Sequence, residues 1–201
     1  MRTAEWERLR LDILRRGVEV DAARQALKDA NREAWPKRHN PQSTAMIIFR
    51  AAADRCRHAV HESFPTGFWE DVELLKRRDP AGLRTTLPFL DADPWFFRSG
   101  YAKARLVRYL KNVELTRDQA ALLREILVQV VESRDREKFE DYCKLARKVD
   151  SPSLRLELQR CLESDRLDVK RRAEWMLAIL DSKRVEWRLL PGEPTPRQSF
   201  R

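Results

Sequence analysis

The stretch SPSLRLELQRCLESDRLDVKRRAEWMLAILDS, residues 151–182, decides the fold class of this chain. Ser151 followed by Pro152 is typical of an N-cap and a first helical position. Apolar residues then recur at helical spacing as far as Glu163, and after a short polar turn a second apolar series begins at Asp168. Two short amphipathic helices joined by so tight a turn are expected to lie side by side and antiparallel.

A single hairpin of this kind cannot bury both of its apolar faces, so neighbouring helices of the same kind are expected. The composition agrees, because the 201 residues include only five glycines and 42% of them are hydrophobic. No segment alternates between apolar and polar residues in the manner of a strand. We therefore predict an all-α protein.

Start and stop signals divide the rest of the chain into further helices. Thr3 is predicted to cap a first helix that Gly17 ends, and a second helix is predicted over residues 20–35. A third helix is predicted from Ser43 to Ser63. By the same kinds of signal, helices are predicted over residues 66–78, 80–90, 95–112, 116–133, 135–149 and 184–190.

From residue 79 onward the predicted helices form pairs. The second helix of each pair is predicted to begin near an aspartate, at Asp93, Asp135 and Asp168. These starts are 42 and 33 residues apart, which is the period of two-helix solenoid repeats.

The pairs resemble HEAT-type repeats, in which an Asp-containing turn leads to a second helix marked by Val-Arg and then by Ala and Leu. The last pair carries the resemblance through Leu158, Leu162, Asp165, Asp168, Val169, Lys170, Ala173 and Leu177, with lysine where the family usually has arginine. The first pair carries it through Leu87, Pro88, Leu90, Asp93, Phe97, Arg98, Ala102 and Leu106, with one extra residue. The resemblance implies a HEAT-like α-solenoid of antiparallel helix pairs, and it says little about function.

We predict one α-helical repeat domain over residues 1–190. The N-terminal helices of residues 1–78 would continue or cap the stack, residues 79–182 would form the HEAT-like pairs, and residues 183–190 would form a capping helix. Residues 191–201 include three prolines and are expected to be a flexible tail.

Membrane and redox signals point to a cytoplasmic protein. No stretch approaches the roughly 20 apolar residues that a membrane helix needs, and the first residues lack the apolar segment of a signal peptide. Cys56, Cys143 and Cys161 are far apart on apolar helix faces, so we expect reduced core cysteines.

Positive charge is the main functional signal. The net charge is +9, and no acid lies between Asp93 and Glu114, where five Lys and Arg residues fall. In HEAT-like proteins the second helices usually line the concave side. The second helices here carry a net +7 and the first helices a net 0, so the resemblance implies a basic concave face suited to an acidic partner.

The residues predicted to form this basic groove are Arg98, Tyr101, Lys103, Arg105, Arg108, Lys111, Lys170, Arg171 and Arg172. Their chemistry suits phosphate or carboxylate contacts, with stacking on the aromatic rings. We therefore expect a non-catalytic binding or scaffold protein whose partner is an acidic protein or a nucleic acid. The alternative is that these charged residues only form solvent-exposed helix faces and that the aromatic residues fill the core.

Sequence signals for catalysis or metal binding are weaker. Asp54, His58 and His61 share one helical face, but no fourth ligand is indicated, so we predict no metal site. No glycine-rich phosphate loop and no nucleophile motif is present, and we expect no cofactor and no small-molecule ligand.

Some DNA-repair glycosylases that resemble this architecture combine a basic concave face with a buried acid and tryptophans. The only residues that this chain offers for those roles are Trp95 and Trp175, beside Asp93 or Asp168. Both acids are better explained as helix caps. The sequence leaves enzymatic activity open and favours a non-catalytic protein.

Overall fold

A computed structural model describes residues 2–133 and 138–182. Within these ranges the chain is all-α as predicted, and no strand is present. The α-helices are α1 (Ala4–Ala34), α2 (Thr44–Glu62), α3 (Phe68–Lys76), α4 (Leu83–Ala92), α5 (Ser99–Leu110), α6 (Arg117–Glu132), α7 (Phe139–Lys148), α8 (Pro152–Leu162) and α9 (Leu167–Asp181). Short 3-10 helices cover Trp35–Lys37 and Pro80–Gly82.

Some predictions fall on other parts of the chain. The start of a helix at Asp135, the capping helix of residues 183–190 and the tail of residues 191–201 lie outside the described residues.

Local capping signals set several helix starts as the sequence indicates. The hydroxyl groups of Thr3, Ser43 and Ser151 each accept a hydrogen bond from the backbone N–H three residues later. Thr116 and Gln119 form a capping box at the start of α6. These four starts are confirmed because the groups that form each cap lie within one turn of sequence.

The prediction that Gly17 ends the first helix is wrong. Helix α1 runs without a break from Ala4 to Ala34. Gly17 is buried, and a Cβ at this position would lie 3.4 Å from the Phe96 ring. The glycine therefore permits close approach of α1 to the segment before α5.

The predicted start of a helix at Trp95 is also wrong. Asp93 adopts a left-handed conformation at the end of α4, and α5 begins only at Ser99, after Arg98 in a second left-handed conformation. Residues 94–98 are instead a loop between the two helices. The Asp93 side chain, which was expected to cap this helix, makes a different contact that is described below.

Helices α1 and α2 form an antiparallel hairpin, and α1 also packs on α4. Helix α3 packs on α4 and α5. Toward the C-terminus, α5, α7 and α9 form one row in which each helix packs on the next, while α6 packs on α8. The hairpin predicted from residues 151–182 is present as the packed pair of α8 and α9. The HEAT-like curved stack remains a prediction.

Apolar contacts in the core hold the helices together. Phe64, Phe68, Phe89 and Phe96 form an aromatic cluster with ring centroids 4.7–6.4 Å apart. The three cysteines are buried and unpaired, as expected. Since the cluster includes Phe96, it anchors the loop before α5 to the core.

Candidate binding surface

The loop between α4 and α5 is fixed by a buried lysine. The Lys103 side chain is only 2% exposed, and its ammonium group donates to the Asp93 carboxylate at 2.7 Å and to the Pro94 carbonyl oxygen at 2.8 Å. An ammonium buried in this way is stabilised because it is paired with a carboxylate and hydrogen-bonded. Lys103 therefore holds the loop, and it does not belong to an exposed groove.

The loop displays two aromatic side chains. Ser99 is buried, and its hydroxyl group accepts from the Phe96 N–H and donates to the Phe96 carbonyl oxygen. While Phe96 points into the core, its neighbours Trp95 and Phe97 are 55% and 42% exposed. The alternative in which the aromatic residues fill the core therefore does not hold for Trp95. The sequence did not predict that Trp95 and Phe97 lie on the surface, because both were expected in the first turn of α5.

Helix α1 adds a cation to this loop. Arg24 lies two turns after Gly17, so both residues are on the face of α1 that meets the loop. The Arg24 guanidinium lies 4.8 Å from the centroid of the Phe97 ring, and that of Arg98 lies 5.3 Å from it. Contacts of this kind are attractive because the ring face is electronegative.

Helix α5 extends the surface away from the loop. Tyr101 is 69% exposed, and Arg105, four residues later, is exposed on the same side of the helix. Arg98 is exposed immediately before the helix begins. Within the described residues, Arg24, Arg98 and Arg105 form no ion pair with any carboxylate. We define the aromatic–arginine patch by the exposed side chains of Arg24, Trp95, Phe97, Arg98, Tyr101 and Arg105.

The remaining predicted cations at the end of α5 share one carboxylate of α7. Arg108 and Lys111 both contact the carboxylate of Asp141, each at 3.2 Å. Asp141 is largely buried, with its side chain 14% exposed. Arg108 and Lys111 thus join α5 to α7, and they are less available to a partner than the side chains of the patch.

Arg172 is a structural residue of α9. It is 5% exposed, and its guanidinium donates to the Val131 carbonyl oxygen at 2.7 Å and to the Asp168 carboxylate at 2.7 Å. Arg166 donates to the carbonyl oxygens of Glu132 and Ser133, at 2.9 Å each. These two arginines satisfy carbonyl groups at the C-terminal end of α6, where a positive charge is also favoured by the helix dipole.

The other predicted residues of α9 lie apart from the patch in the helix row. Lys170 is half-buried, and Arg171 is exposed with its guanidinium 5.1 Å from the centroid of the Trp175 ring. The Trp175 ring in turn lies 6.3 Å from the ring of Phe139 on α7. Because α7 lies between α5 and α9, the predicted groove residues form two groups.

The acids considered for catalysis are engaged in ion pairs. Asp93 is paired with Lys103. Hydrogen bonds from Arg166 and Arg172 lower the pKa of Asp168 to about 2. A carboxyl group with so low a pKa is ionised at neutral pH and cannot act as a general acid.

The candidate metal ligands are exposed and form local contacts. Asp54 pairs with Arg57, and His61 contacts Glu62. The described part of the chain contains no group of three His, Cys, Asp or Glu side chains that could hold a metal ion.

A separate cleft of about 720 Å³ opens between α1, α4 and residues 65–66. Its charged lining residues have both signs and include Glu5, Arg8, Asp12, Arg16 and Arg84. Arg16 already contacts Asp12 and the Glu62 carbonyl oxygen, and Arg84 contacts Asp71. The cleft therefore has charges of both signs, and it is not part of the patch.

Because comparison with known proteins finds no match, the function is inferred from the fold and the patch. No protein-family model, curated protein or solved structure matches the chain. Among the helices that the structure describes, none is both long and apolar enough to cross a membrane.

Proposed function

We propose that this chain is a non-catalytic binding or scaffold protein whose aromatic–arginine patch recognises an acidic macromolecule. The observation that carries the proposal is the unpaired state of the exposed guanidinium groups of Arg24, Arg98 and Arg105. Two of these groups already lie against one ring, that of Phe97.

The distribution of ion pairs favours the patch over Lys103, Arg108, Lys111 and Arg172 of the predicted groove. Arg108 and Lys111 already share the Asp141 carboxylate, and the charges of Lys103 and Arg172 are buried out of reach of a partner. The three patch arginines have no carboxylate partner among the described residues that an acidic ligand would have to displace. Exposed cations of this kind also raise the rate of encounter with an anionic partner.

A nucleic acid is the second form of the proposal, because the same patch carries exposed aromatic rings. Phosphates and carboxylates both suit guanidinium groups, so the arginines alone support either partner. The sequence predicted a curved basic groove along α5, α7 and α9. We restrict the proposed binding site to the aromatic–arginine patch.

Binding of the full chain to heparin tests the proposal. We expect the triple variant Arg24→Gln/Arg98→Gln/Arg105→Gln to elute from a heparin column at lower salt than the parent chain. Loss of about three phosphate- or sulfate-like contacts should weaken binding at least tenfold at low salt.

The matched control is Arg50→Gln/Arg117→Gln/Arg160→Gln, which removes the same charge from exposed positions on α2, α6 and α8. We expect this control to elute close to the parent chain. If both triple variants shift equally, binding reflects net charge alone, and the patch is not the site.

A further inference from the structure

We infer that the acidic partner of the aromatic–arginine patch is a single-stranded nucleic acid, whose bases stack on the exposed rings while its phosphates contact the arginines. This inference rests on the proposed function of the patch. It adds the class of partner and the role of the aromatic side chains.

The exposed rings are the first step in the argument. Trp95, Phe97 and Tyr101 fall within seven residues, and they are 55%, 42% and 69% exposed. Large rings are normally buried because their exposure to water is unfavourable. A short segment that exposes three of them favours a partner with flat apolar faces, and nucleobases have such faces.

The cations are interleaved with the rings. Arg98 lies between Phe97 and Tyr101 in sequence, and Arg105 follows Tyr101 by one helical turn. Arg24 reaches the Phe97 ring from another helix. A strand that alternates bases with phosphates matches a surface that alternates rings with guanidinium groups.

Other acidic partners use only part of this chemistry. A peptide made only of acidic residues satisfies the arginines but offers no rings to stack on those of the patch. Duplex DNA offers phosphates, but its bases are stacked on one another and present only their edges in the grooves. Unstacked bases of a single strand can use both components of the patch.

The patch is also held rigid before binding. Lys103 ties the loop through Asp93 and Pro94, and Ser99 bonds to the backbone of Phe96. Rings that are already positioned lose little conformational freedom when a base stacks on them, and this favours affinity.

Fluorescence anisotropy with labelled oligomers of about 16 nucleotides tests the inference. The probes are oligothymidylate, oligouridylate, a DNA duplex of the same length and poly-L-glutamate. The variants are Tyr101→Leu and Phe97→Leu, which keep apolar side chains but remove the rings. Trp35→Leu is the control, because Trp35 is 62% exposed and has the Arg38 guanidinium 4.5 Å from its ring centroid, but lies outside the patch.

We expect the parent chain to bind single strands more tightly than the duplex, and each patch variant to bind them about 5- to 100-fold more weakly. Trp35→Leu should bind as the parent does. Neither Trp35→Leu nor Tyr101→Leu should alter binding of poly-L-glutamate, because neither removes the Phe97 ring that contacts Arg24 and Arg98. The two single-stranded probes distinguish DNA from RNA through the 2′-hydroxyl group.

Two results would overturn the inference. In the first, both ring variants bind single strands as the parent does. In the second, the chain binds poly-L-glutamate through the three arginines but does not bind single strands; the proposed function then survives with an acidic protein as partner. Far-ultraviolet circular dichroism of each variant confirms that a loss of binding does not come from unfolding.

Discussion

At the scale of single residues, Asp91 shows how a buried carboxylate attaches the start of the chain to the body of the protein. Its side chain is 1% exposed and accepts hydrogen bonds from the Arg2 guanidinium at 2.7 and 3.1 Å and from the Trp6 indole at 2.9 Å. Arg10 lies 3.9 Å away. These contacts join α1 to α4. These contacts could not be predicted from the sequence, because the partners of Asp91 lie more than 80 positions away.

We predict that Asp91→Asn lowers the free energy of unfolding by about 2 kcal/mol at neutral pH, since hydrogen bonds to a charged group are lost. Glu125→Gln is the matched control, because Glu125 contacts the same Arg2 guanidinium but is exposed. Its effect should stay within about 0.5 kcal/mol. Urea denaturation measures both values, and equal effects would contradict the role assigned to Asp91.

The stabilisation by Asp91 should depend on pH. Burial acts to raise the pKa of the Asp91 carboxyl, but hydrogen bonds from Arg2 and Trp6 and the charges of Arg2 and Arg10 outweigh it, so the pKa lies below its ordinary value of 3.8. A carboxyl with a lowered pKa stabilises the folded state at neutral pH and stops doing so as the pH falls through that pKa.

We therefore expect the difference in unfolding free energy between the parent chain and Asp91→Asn to be constant from pH 7 to about pH 5, and to shrink below about pH 4. Urea denaturation at a series of pH values measures this difference. A difference that persists unchanged at pH 3 would show that the charge of Asp91 does not stabilise the fold.

At the scale of elements, α1 is one helix because Gly17 serves a contact between helices and not a helix end. We predict that Gly17→Ala leaves the stability unchanged or raises it by up to about 1 kcal/mol, because alanine favours a helix and its Cβ would just fit against Phe96. Gly17→Leu should lower the stability by about 1–3 kcal/mol through overpacking.

Thermal or urea unfolding of the two Gly17 variants tests this account. Opposite effects of the small and the large side chain are expected. If Gly17→Leu is as stable as Gly17→Ala, then α1 does not approach the loop before α5 as closely as described.

The basic residues of α5 and α9 divide into structural and surface groups, and this division is testable. Arg172→Gln should lower the free energy of unfolding by about 2 kcal/mol, because it removes hydrogen bonds from a buried guanidinium to Val131 and Asp168. Its binding to heparin should change little. Arg105→Gln should do the reverse, with a change in stability within about 0.5 kcal/mol and weaker binding.

The elements also show which structural features could be predicted from sequence. Caps such as Thr116 with Gln119 were found because both partners lie in one turn. The start of α5 was misplaced because Asp93 resembles a cap in sequence, whereas its carboxylate pairs with Lys103 ten residues later. The burial of Lys103 and Arg172 could not be predicted, because it depends on contacts with a loop and with the end of another helix.

At the scale of the whole molecule, positive charge is distributed unevenly over the row formed by α5, α7 and α9. Asp141 pairs with two cations where α5 meets α7, and a carbonyl group of α6 accepts a hydrogen bond from Arg172. Unpaired cations and exposed rings remain together where α1 meets the loop before α5. The positive charge of the second helices was evident from the sequence, but which of these cations pair with carboxylates could not be predicted from it.

The salt dependence of binding to single-stranded oligothymidylate tests the central claim most directly. For the parent chain, the logarithm of the association constant should fall steeply and linearly with the logarithm of the salt concentration. In Arg24→Gln/Arg98→Gln/Arg105→Gln this slope should be shallower by about two, since each lost phosphate contact contributes about 0.7. The control Arg50→Gln/Arg117→Gln/Arg160→Gln should keep the parent slope. Equal slopes for the parent chain and the patch variant would contradict the assignment of this patch as the binding site.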